Sequence, residues 1–149
     1  MLITRATSED DKILTEITKM SKAYWGYSDE LMDTWSDALT ITNDYIDANH
    51  VYNLLIGDLV GGYYSYFYTD ENSIKLDYLF VLPKYIGKGI GKKLMNDFLK
   101  RVKTDKHQKI TVDSDPNAEK FYEKIGFVKV GQIETSIKDR FLPIMQLEI

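Results

Sequence analysis

The segment Tyr85-Ile-Gly-Lys-Gly-Ile-Gly91 decides how the rest of this 149-residue chain is interpreted. It follows a strand-like run over residues 73–82 and precedes a helical pattern of apolar residues at positions 90, 94, 98 and 102. Glycines let a backbone turn tightly and approach a ligand closely, while free amides at the start of a helix point toward an anion. The order of strand, glycines and helix therefore predicts a phosphate-binding turn. A tight connection without a ligand is the alternative.

The hydrophobic periodicity on either side of this segment predicts strands and helices. The strand-like segments are residues 3–6, 51–56, 59–68, 73–82, 109–113, 127–132 and 142–149. Four helical segments are predicted. The first begins near a capping box at Ser8 and Asp11, and the second begins at Ser28, with Leu31, Trp35 and Leu39 at helical spacing. The third runs from Gly91 to about Lys103, and the fourth spans Asn117 to Ile125. Strands come together early and then alternate with helices, which predicts one α/β domain over residues 1–149 with a mixed sheet.

The composition excludes several classes of function. The chain has no cysteine, which removes disulfides, thiolate zinc sites and a cysteine nucleophile. Its formal net charge is −4, without the basic footprint that nucleic-acid binding usually needs. No apolar run reaches the ~18 residues of a membrane span or the length of a signal-peptide core. We therefore expect a soluble cytoplasmic protein with no metal site and no nucleic-acid or membrane partner.

Two better-known nucleotide motifs fit the glycine segment poorly. A dinucleotide fingerprint spaced from Gly87 needs a small residue where Lys92 stands. A Walker loop needs glycine where Ile86 stands and Ser or Thr where Lys93 stands. The sequence therefore favours a different phosphate-containing ligand.

A second segment makes the interpretation more specific. After the strand at residues 109–113 comes Asp115-Pro-Asn-Ala-Glu-Lys-Phe-Tyr-Glu-Lys-Ile-Gly-Phe127. Together with Val81-Leu-Pro-Lys-Tyr-Ile-Gly-Lys-Gly-Ile-Gly-Lys-Lys-Leu94, it resembles the GNAT superfamily of acyl-CoA N-acyltransferases. The order of strands and helices is similar over nearly the whole chain. The resemblance implies a central sheet of about six to seven strands, splayed in the middle, with helices on both faces.

The resemblance also implies that acetyl-CoA is the co-substrate. The glycine segment resembles the family's pyrophosphate-binding loop, the third long strand would pair with pantetheine, and the second segment resembles the helix beside the thioester. The residues implied for coenzyme A binding are Leu79, Phe80, Val81, Ile86, Gly87, Lys88, Gly89, Ile90, Gly91, Lys92, Asn117 and Phe121. Ile86 departs from the pattern, since the family usually has Arg or Gln there. Lys84 or Lys88 would supply the missing charge, so we expect weakened but retained binding.

Acetyl transfer needs a deprotonated amine and a leaving sulfur that receives a proton or a hydrogen bond. Tyr122 occupies the position where GNAT enzymes often carry the tyrosine that serves the sulfur; a tyrosine packed on an amphipathic helix is the alternative. The position where the family often has a glutamate base is Lys75, which cannot be an anionic base. Asp77 lies two residues on, hence on the same strand face, and is either the base or a surface carboxylate.

Three aromatic residues, Tyr24, Trp25 and Tyr27, lie between the first two predicted helices. In GNAT folds that region commonly closes the acceptor pocket, so they form either a wall for an amine or a staple between helices. The predicted activity is direct acetyl transfer, in a ternary complex, to a small-molecule or peptide primary amine by a monomer or homodimer. The alternatives are a catalytically silent acyl-CoA-binding regulatory or sensor domain, and a nucleotide-binding enzyme that uses the same loop.

Overall fold

The computed structural model describes residues 1–149, which form a seven-stranded sheet and five α-helices. The strands are β1 (Leu2–Arg5), β2 (His50–Ile56), β3 (Leu59–Asp70), β4 (Ser73–Val81), β5 (Lys109–Asp113), β6 (Val128–Glu134) and β7 (Phe141–Glu148). The helices are α1 (Asp11–Ala23), α2 (Asp29–Thr34), α3 (Asn43–Ala48), α4 (Ile90–Val102) and α5 (Glu119–Ile125). The strand order is β1-β2-β3-β4-β5-β7-β6, with β4 and β5 parallel. The predicted mixed α/β architecture is confirmed.

The chain forms two compact units. Unit 1 contains Met1–Tyr66 and Tyr78–Val102, and unit 2 contains Phe67–Asp77 and Lys103–Ile149. Unit 1 therefore holds β1, β2 and helices α1 to α4, whereas unit 2 holds β5, β6, β7 and α5. The assignment of all residues to one domain stays a prediction.

Consecutive side chains of β3 place helices on both faces of the sheet in unit 1, because residues of a strand alternate between faces. Tyr63 is fully buried, and its hydroxyl lies 2.5 Å from the Thr18 hydroxyl of α1. Tyr64 is also fully buried, but its ring packs at 5.5 Å from that of Phe98 on α4. Its hydroxyl donates a hydrogen bond to Asp97 of the same helix at 2.6 Å. These contacts fix α1 and α4 to opposite faces.

Helix α4 is held along its length. The predicted apolar face is confirmed, since Ile90, Leu94, Phe98 and Val102 are all buried. Arg101 adds a polar anchor near the end of the helix. Its Nε donates to the Tyr64 hydroxyl at 3.1 Å, and its guanidinium lies 3.9 Å from the centre of the Tyr52 ring. The start of α4 is therefore a fixed part of unit 1.

Unit 2 is built on β7, which pairs antiparallel with both β5 and β6. Its buried apolar side chains come from β4, β5, β7, α5 and the segment that follows α5. They are Ile74, Leu76, Ile110, Val112, Tyr122, Phe127 and Met145. Gly126 ends α5 with φ of +118°, the left-handed conformation in which glycine commonly terminates a helix. The predicted stop at Gly126 is thus confirmed.

The helices between α1 and β2 differ from the prediction. Ser28 caps α2 as expected, accepting a hydrogen bond from the Leu31 amide at 3.2 Å. The helix ends at Thr34, however, and residues 35–39 form turns, so the predicted extension to Leu39 is wrong. Helix α3 was not predicted. It has six residues and only one buried residue, Ile46, so its sequence shows no hydrophobic periodicity.

The start of α1 requires a small correction. The capping interaction joins the Thr7 amide to the Asp10 carboxylate at 2.9 Å, one residue earlier than the predicted Ser8 and Asp11. A 3₁₀ turn over Ser8–Asp10 precedes the α-helix and accounts for the shift. None of the helices combines the length and apolar character needed to span a membrane.

Candidate active site

The glycine segment forms a tight connection between β4 and α4. Gly87 and Gly89 have φ of +83° and +77°, a left-handed region that residues with a Cβ rarely adopt. A Cβ built on either glycine would meet no atom within 4 Å. Glycine is therefore needed at both positions because of the backbone conformation, and not because of close packing. The open space beside them is what a ligand needs in order to reach the main chain.

The first turn of α4 presents backbone amides that the helix does not use. The Lys93 amide donates to the Gly89 carbonyl at 3.1 Å. The amides of Ile90, Gly91 and Lys92 have no acceptor within the helix, because the carbonyls four residues earlier precede it. These amides suit an anion, and the helix dipole adds to the attraction.

Two of the predicted loop residues have amides that are already engaged. The Ile86 amide donates to Pro83 at 3.1 Å, and the Lys88 amide donates to Tyr85 at 3.3 Å. Only their side chains therefore remain to contact a ligand. Ile86 is 37% exposed and places an apolar side chain at the position where the family has Arg or Gln.

Positive charge nevertheless gathers at this turn. The ammonium groups of Lys84 and Lys88 lie 5.1 and 5.8 Å from the centre of the Tyr85 ring. Both side chains are exposed, as is that of Lys92 in the first turn of α4. Exposed ammonium groups beside helix-terminal amides complete an anion-binding arrangement.

The backbone of Leu79–Val81 lies beyond the ladder that joins β4 to β5. That parallel ladder pairs Ser73–Lys75 with Lys109–Thr111 and does not continue along β4. The sheet is thus splayed, as the family resemblance implies. The β4–β5 ladder has no register shift. An irregularity does lie between β2 and β3, where the pairing skips Gly61. The backbone groups of Leu79–Val81 on the β5 side are consequently not used by β5.

In unit 2, a half-buried ion pair lies at the turn before α5. One oxygen of Asp115 accepts hydrogen bonds from the amide and the side-chain Nδ2 of Asn117, both at 2.9 Å. Its other oxygen lies 3.4 Å from Nη2 of Arg140, which comes just before β7. Arg140 is not predictable from the sequence, because no local pattern connects it to a residue 25 positions away. Asn117 is predicted to contact coenzyme A, and the structure holds it in this turn.

Tyr122 is the buried residue of α5, with 5% exposure. Its ring packs edge-on against Phe121 at 5.2 Å and against Phe127 at 5.4 Å. Burial, and secondarily the negative charge of Asp115, raise the pKa of the Tyr122 phenol above its ordinary value. The phenol therefore stays protonated at neutral pH, and no other protein group is hydrogen-bonded to its hydroxyl. It is a donor without a partner in the protein.

Lys75 and Asp77 share a face of β4, and the structure identifies the partner of Lys75. The Lys75 ammonium lies 2.5 Å from the Asp113 carboxylate, and both side chains are about a quarter exposed, at 26% and 29%. Since Lys75 pairs with Thr111, Asp113 two residues on falls on the same face. The sequence alone does not give the strand register, so Asp113 was not predicted. Asp77 is half-buried in the same unit.

The three predicted acceptor residues separate into two groups within unit 1. Tyr27 packs edge-on against Trp35 at 4.9 Å, and the Lys22 ammonium lies 5.3 Å from the centre of each ring. Tyr24 and Trp25 pack edge-on against each other at 5.4 Å and are 53% and 43% exposed. Tyr27 thus matches the staple interpretation, whereas Tyr24 and Trp25 keep open ring surfaces.

One concavity of unit 1 contains none of the predicted residues. It has a volume of about 400 Å³ and lies between the start of α1 and the start of α3. Its lining residues are Asp11, Lys12, Thr15, Thr40, Ile41, Thr42 and Asn43. We give it no role in the site, because residues of the glycine turn, β4 and α5 are absent from its lining. No group of three or more His, Asp or Glu side chains is arranged to hold a metal ion.

Together, the splayed mixed sheet and the glycine turn that opens a helix are features of a particular class of enzyme. A family model described as acetyltransferase (GNAT) domain matches residues 26–147. The chain therefore belongs to the GNAT acetyltransferase family, and the resemblance carried by the two sequence segments is confirmed.

Solved structures of known acetyltransferases share this fold. A protein from Rhodopseudomonas palustris, described as GCN5-related N-acetyltransferase: aminotransferase, class-II, is 21% identical with a TM-score of 0.77, covering 99% of this chain and 95% of that one. PaiA N-acetyltransferase from Thermoplasma acidophilum, in complex with coenzyme A, is 21% identical with a TM-score of 0.76, covering 99% and 98%. An aminoglycoside 6′-N-acetyltransferase complexed with coenzyme A is 15% identical with a TM-score of 0.71, covering 99% and 97%. At these identities the similarity shows the fold.

Proposed function

We propose that this protein transfers an acetyl group from acetyl-CoA to a primary amine, by direct attack of the amine in a ternary complex. The start of α4 supports this proposal most strongly, because two left-handed glycines and three helix-terminal amides form an anion site in a GNAT family member. Two proteins of the same fold, PaiA N-acetyltransferase and the aminoglycoside enzyme, are complexed with coenzyme A.

In this proposal the backbone binds most of the cofactor. The amides of Ile90, Gly91 and Lys92 hold the pyrophosphate, and Gly87 and Gly89 let it approach the main chain. The exposed ammonium groups of the loop lysines add attraction. The pantetheine pairs with the backbone of residues 79–81, while residues 117 and 121 contact the thioester end.

The acceptor amine must lose its extra proton before it can attack. An unperturbed alkyl ammonium has a pKa near ~10.4, so its deprotonation at pH 7 costs roughly 4–5 kcal/mol. Asp77 accepts that proton in our proposal, directly or through water. The nitrogen lone pair then attacks the thioester carbonyl, and the nitrogen loses its second proton to water. The carbon–sulfur bond breaks with the electron pair leaving on sulfur.

Tyr122 serves the departing sulfur in this proposal, and its environment defines how. A thiol has a reference pKa near ~8.5, below that of an ordinary phenol at about 10. Because burial raises the pKa of Tyr122 further, full transfer of its proton to a thiolate is unfavourable. A hydrogen bond donated by the phenol stabilises the thiolate without that transfer. The proton that finally completes the thiol then comes from water.

A thiol-release assay with acetyl-CoA across a panel of primary amines tests this function. Amine-dependent release of coenzyme A, with the acetylated amine detected by mass spectrometry, is the expected result. Coenzyme A binding without transfer to any amine would favour the catalytically silent domain, for which Ile86 and Lys75 at family positions are the supporting observations. Thermal stabilisation by ATP or NAD in preference to coenzyme A would favour the nucleotide-binding enzyme. A cytoplasmic location and a monomeric or homodimeric state stay predictions.

A further inference from the structure

The turn between β6 and β7 is closed by its own hydrogen bonds. The Thr135 hydroxyl donates to the Arg140 carbonyl at 2.8 Å, and the Arg140 amide donates to the Ile137 carbonyl at 3.2 Å. Asp139 has φ of +62°, in the left-handed region that a residue with a Cβ seldom adopts. These contacts fix the backbone of Arg140 immediately before β7 begins at Phe141.

The Arg140 guanidinium meets Asp115 where both side chains are largely covered by unit 2. The side chains of Arg140 and Asp115 are 15% and 13% exposed. Taking a charged group out of water costs free energy unless an opposite charge lies close by, and arginine keeps its charge even in such a place. Because partly buried charges are screened little by salt, this ion pair acts on the groups around it.

Asp115 belongs to the turn from which α5 starts. One of its carboxylate oxygens accepts hydrogen bonds from the amide and the side chain of Asn117, and its carbonyl accepts one from the Ala118 amide, all at 2.9 Å. Helix α5 begins one residue later, at Glu119, and carries Tyr122 in its first turn. Burial raises the pKa of the Tyr122 phenol and the negative charge of Asp115 raises it further, so that charge acts on the hydroxyl.

A negative charge near this hydroxyl opposes the role proposed for Tyr122. The departing sulfur carries negative charge, and a neighbouring carboxylate repels it and also makes the phenol a weaker hydrogen-bond donor. A positive charge next to that carboxylate offsets both effects. Arg140 supplies this charge on Asp115, and it comes from a turn far along the chain.

We propose that Arg140 is a positioning residue for the chemical step: it holds Asp115 and the start of α5, and it offsets the negative charge that acts on Tyr122. This rests on the N-acetyltransferase activity proposed above, with Tyr122 as the donor to sulfur. Arg140 acts through Asp115 and Tyr122 and does not itself contact the substrate. The electrostatic part of the role is separable from support of the turn, because asparagine at position 115 keeps a capping oxygen but removes the charge.

Three variants test this division by steady-state kinetics. In Arg140→Gln we expect kcat to fall about tenfold, while the KM for the amine and the affinity for coenzyme A stay within about twofold. Asp115→Asn with Arg140→Gln removes both charges, so kcat should return to within about threefold of the parent's. Arg140→Lys keeps the positive charge, and its kcat should lie between those of the parent and Arg140→Gln.

Lys138→Gln is the matched control, because it removes one positive charge from an exposed side chain of the same turn. It should keep the parental kcat. A parental kcat in Arg140→Gln, a double variant no faster than Arg140→Gln, or an equal loss in Lys138→Gln would each overturn the inference. If chemical denaturation shows that Arg140→Gln does not fold, the double variant decides. A kcat near the parent's would support the inference, and a tenfold loss with intact coenzyme A affinity would overturn it.

A second readout does not depend on acetyl transfer. NMR of coenzyme A that is isotopically labelled at the carbon next to sulfur reports the pKa of its thiol in the bound state. We expect that pKa to be higher on Arg140→Gln than on the parent, because the carboxylate charge destabilises the thiolate, and to return toward the parent's value on the double variant.

This readout distinguishes failure of the inference from failure of the proposed function. If no amine is acetylated but the thiol pKa follows the expected pattern, the activity is wrong and the role of Arg140 stands. If amines are acetylated but the thiol titrates alike on the parent, Arg140→Gln and the double variant, the activity stands and the inference is overturned.

Discussion

The glycine turn of unit 1 and the α5 segment of unit 2 represent two different ways in which a motif carries function. At the turn, the groups suited to a ligand are main-chain amides, so Ile86 can replace the family's polar side chain while the backbone geometry is kept. On α5, the proposed role depends on one hydroxyl, that of Tyr122, whose chemistry is altered by burial. The first motif should therefore tolerate side-chain changes that leave its backbone and charge intact, whereas the second should not tolerate even the loss of one atom.

The largest expected effect is that of Tyr122→Phe. The ring and its packing are kept, and the hydroxyl has no protein partner, so thermal stability should be unchanged or slightly higher. Turnover should fall about 10²–10³-fold, the usual loss when one hydrogen-bond donor to a developing negative charge is removed. Affinity for coenzyme A, measured by calorimetry, should stay constant, because the interaction belongs to the transition state.

The control for this variant is Tyr68→Phe, which removes the hydroxyl of an exposed tyrosine of β3. It should keep parental turnover. Because the pKa of Tyr122 is raised, any high-pH limb of the parent's rate profile should persist in Tyr122→Phe. Near-parental turnover of Tyr122→Phe, with chemistry shown to limit the rate, would remove Tyr122 from the mechanism.

The second prediction concerns Asp77, a side chain whose chemistry should also be intolerant of change. Asp77→Asn keeps the shape of the residue but removes its capacity to accept a proton. Turnover at neutral pH should fall about 10²-fold or more, and the low-pH limb of kcat/KM should be altered. The matched control is Asp58→Asn in the turn between β2 and β3, which should behave like the parent. An unchanged low-pH limb in Asp77→Asn would assign the proton to a water chain or to another group.

A third prediction probes the turn with two isosteric substitutions at Gly89. Asn and Asp both tolerate the left-handed conformation better than other residues, and no atom lies within 4 Å of the added Cβ. Gly89→Asn should therefore keep much of the affinity for coenzyme A, whereas Gly89→Asp should weaken it by about 10–100-fold through repulsion of the pyrophosphate. Equal affinities of the two folded variants, measured by calorimetry, would mean that no phosphate binds here.

A fourth prediction concerns Ile86, which stands where the family usually has Arg or Gln. Ile86 is 37% exposed, so arginine can be introduced there without disturbing the core. If a charged donor adds to the backbone amides, Ile86→Arg should tighten coenzyme A binding by about 1.5 kcal/mol, or roughly tenfold. Ile86→Met serves as the apolar control. An affinity for coenzyme A that is unchanged in Ile86→Arg, measured by calorimetry, would indicate that the backbone amides alone bind the ligand at this turn.

The smallest effects concern the aromatic residues after α1, where the structure separates two roles. Trp25→Ala should raise the amine KM about two- to fivefold, as expected for an exposed cation–π contact, with little change in stability. Tyr27→Ala should instead lower the free energy of unfolding by about 1 kcal/mol, because Tyr27 packs on Trp35. Chemical denaturation and steady-state kinetics on both variants check this division, and identical behaviour of the two would contradict it.

The sequence predicted most of the fold because its local signals were strong. Apolar periodicity defined α4, Gly57-Asp58 defined the hairpin between β2 and β3, and Gly126 defined the end of α5. The helices between α1 and β2 were predicted poorly. They are six residues each and carry few buried residues, so tertiary packing and not periodicity determines where they end.

The sequence predicted the part of the candidate site that consists of main-chain groups within one motif. It did not predict contacts between side chains that are far apart in the sequence. The glycine turn has the conformation that its composition requires. Asp113 beside Lys75 and Arg140 beside Asp115 were not predicted, since both depend on strand register or on a loop far along the chain. The burial that raises the pKa of Tyr122 likewise depends on tertiary packing, which no local sequence pattern gives.

The most direct test of the proposed activity is a reaction with isotopically labelled acetyl-CoA and a primary amine, followed by mass spectrometry of both products. Our account predicts one labelled acetylated amine for each coenzyme A thiol released, with both products absent when the protein is omitted. Coenzyme A binding without any labelled amine across the amine panel, or thiol release that yields only labelled acetate, would contradict it.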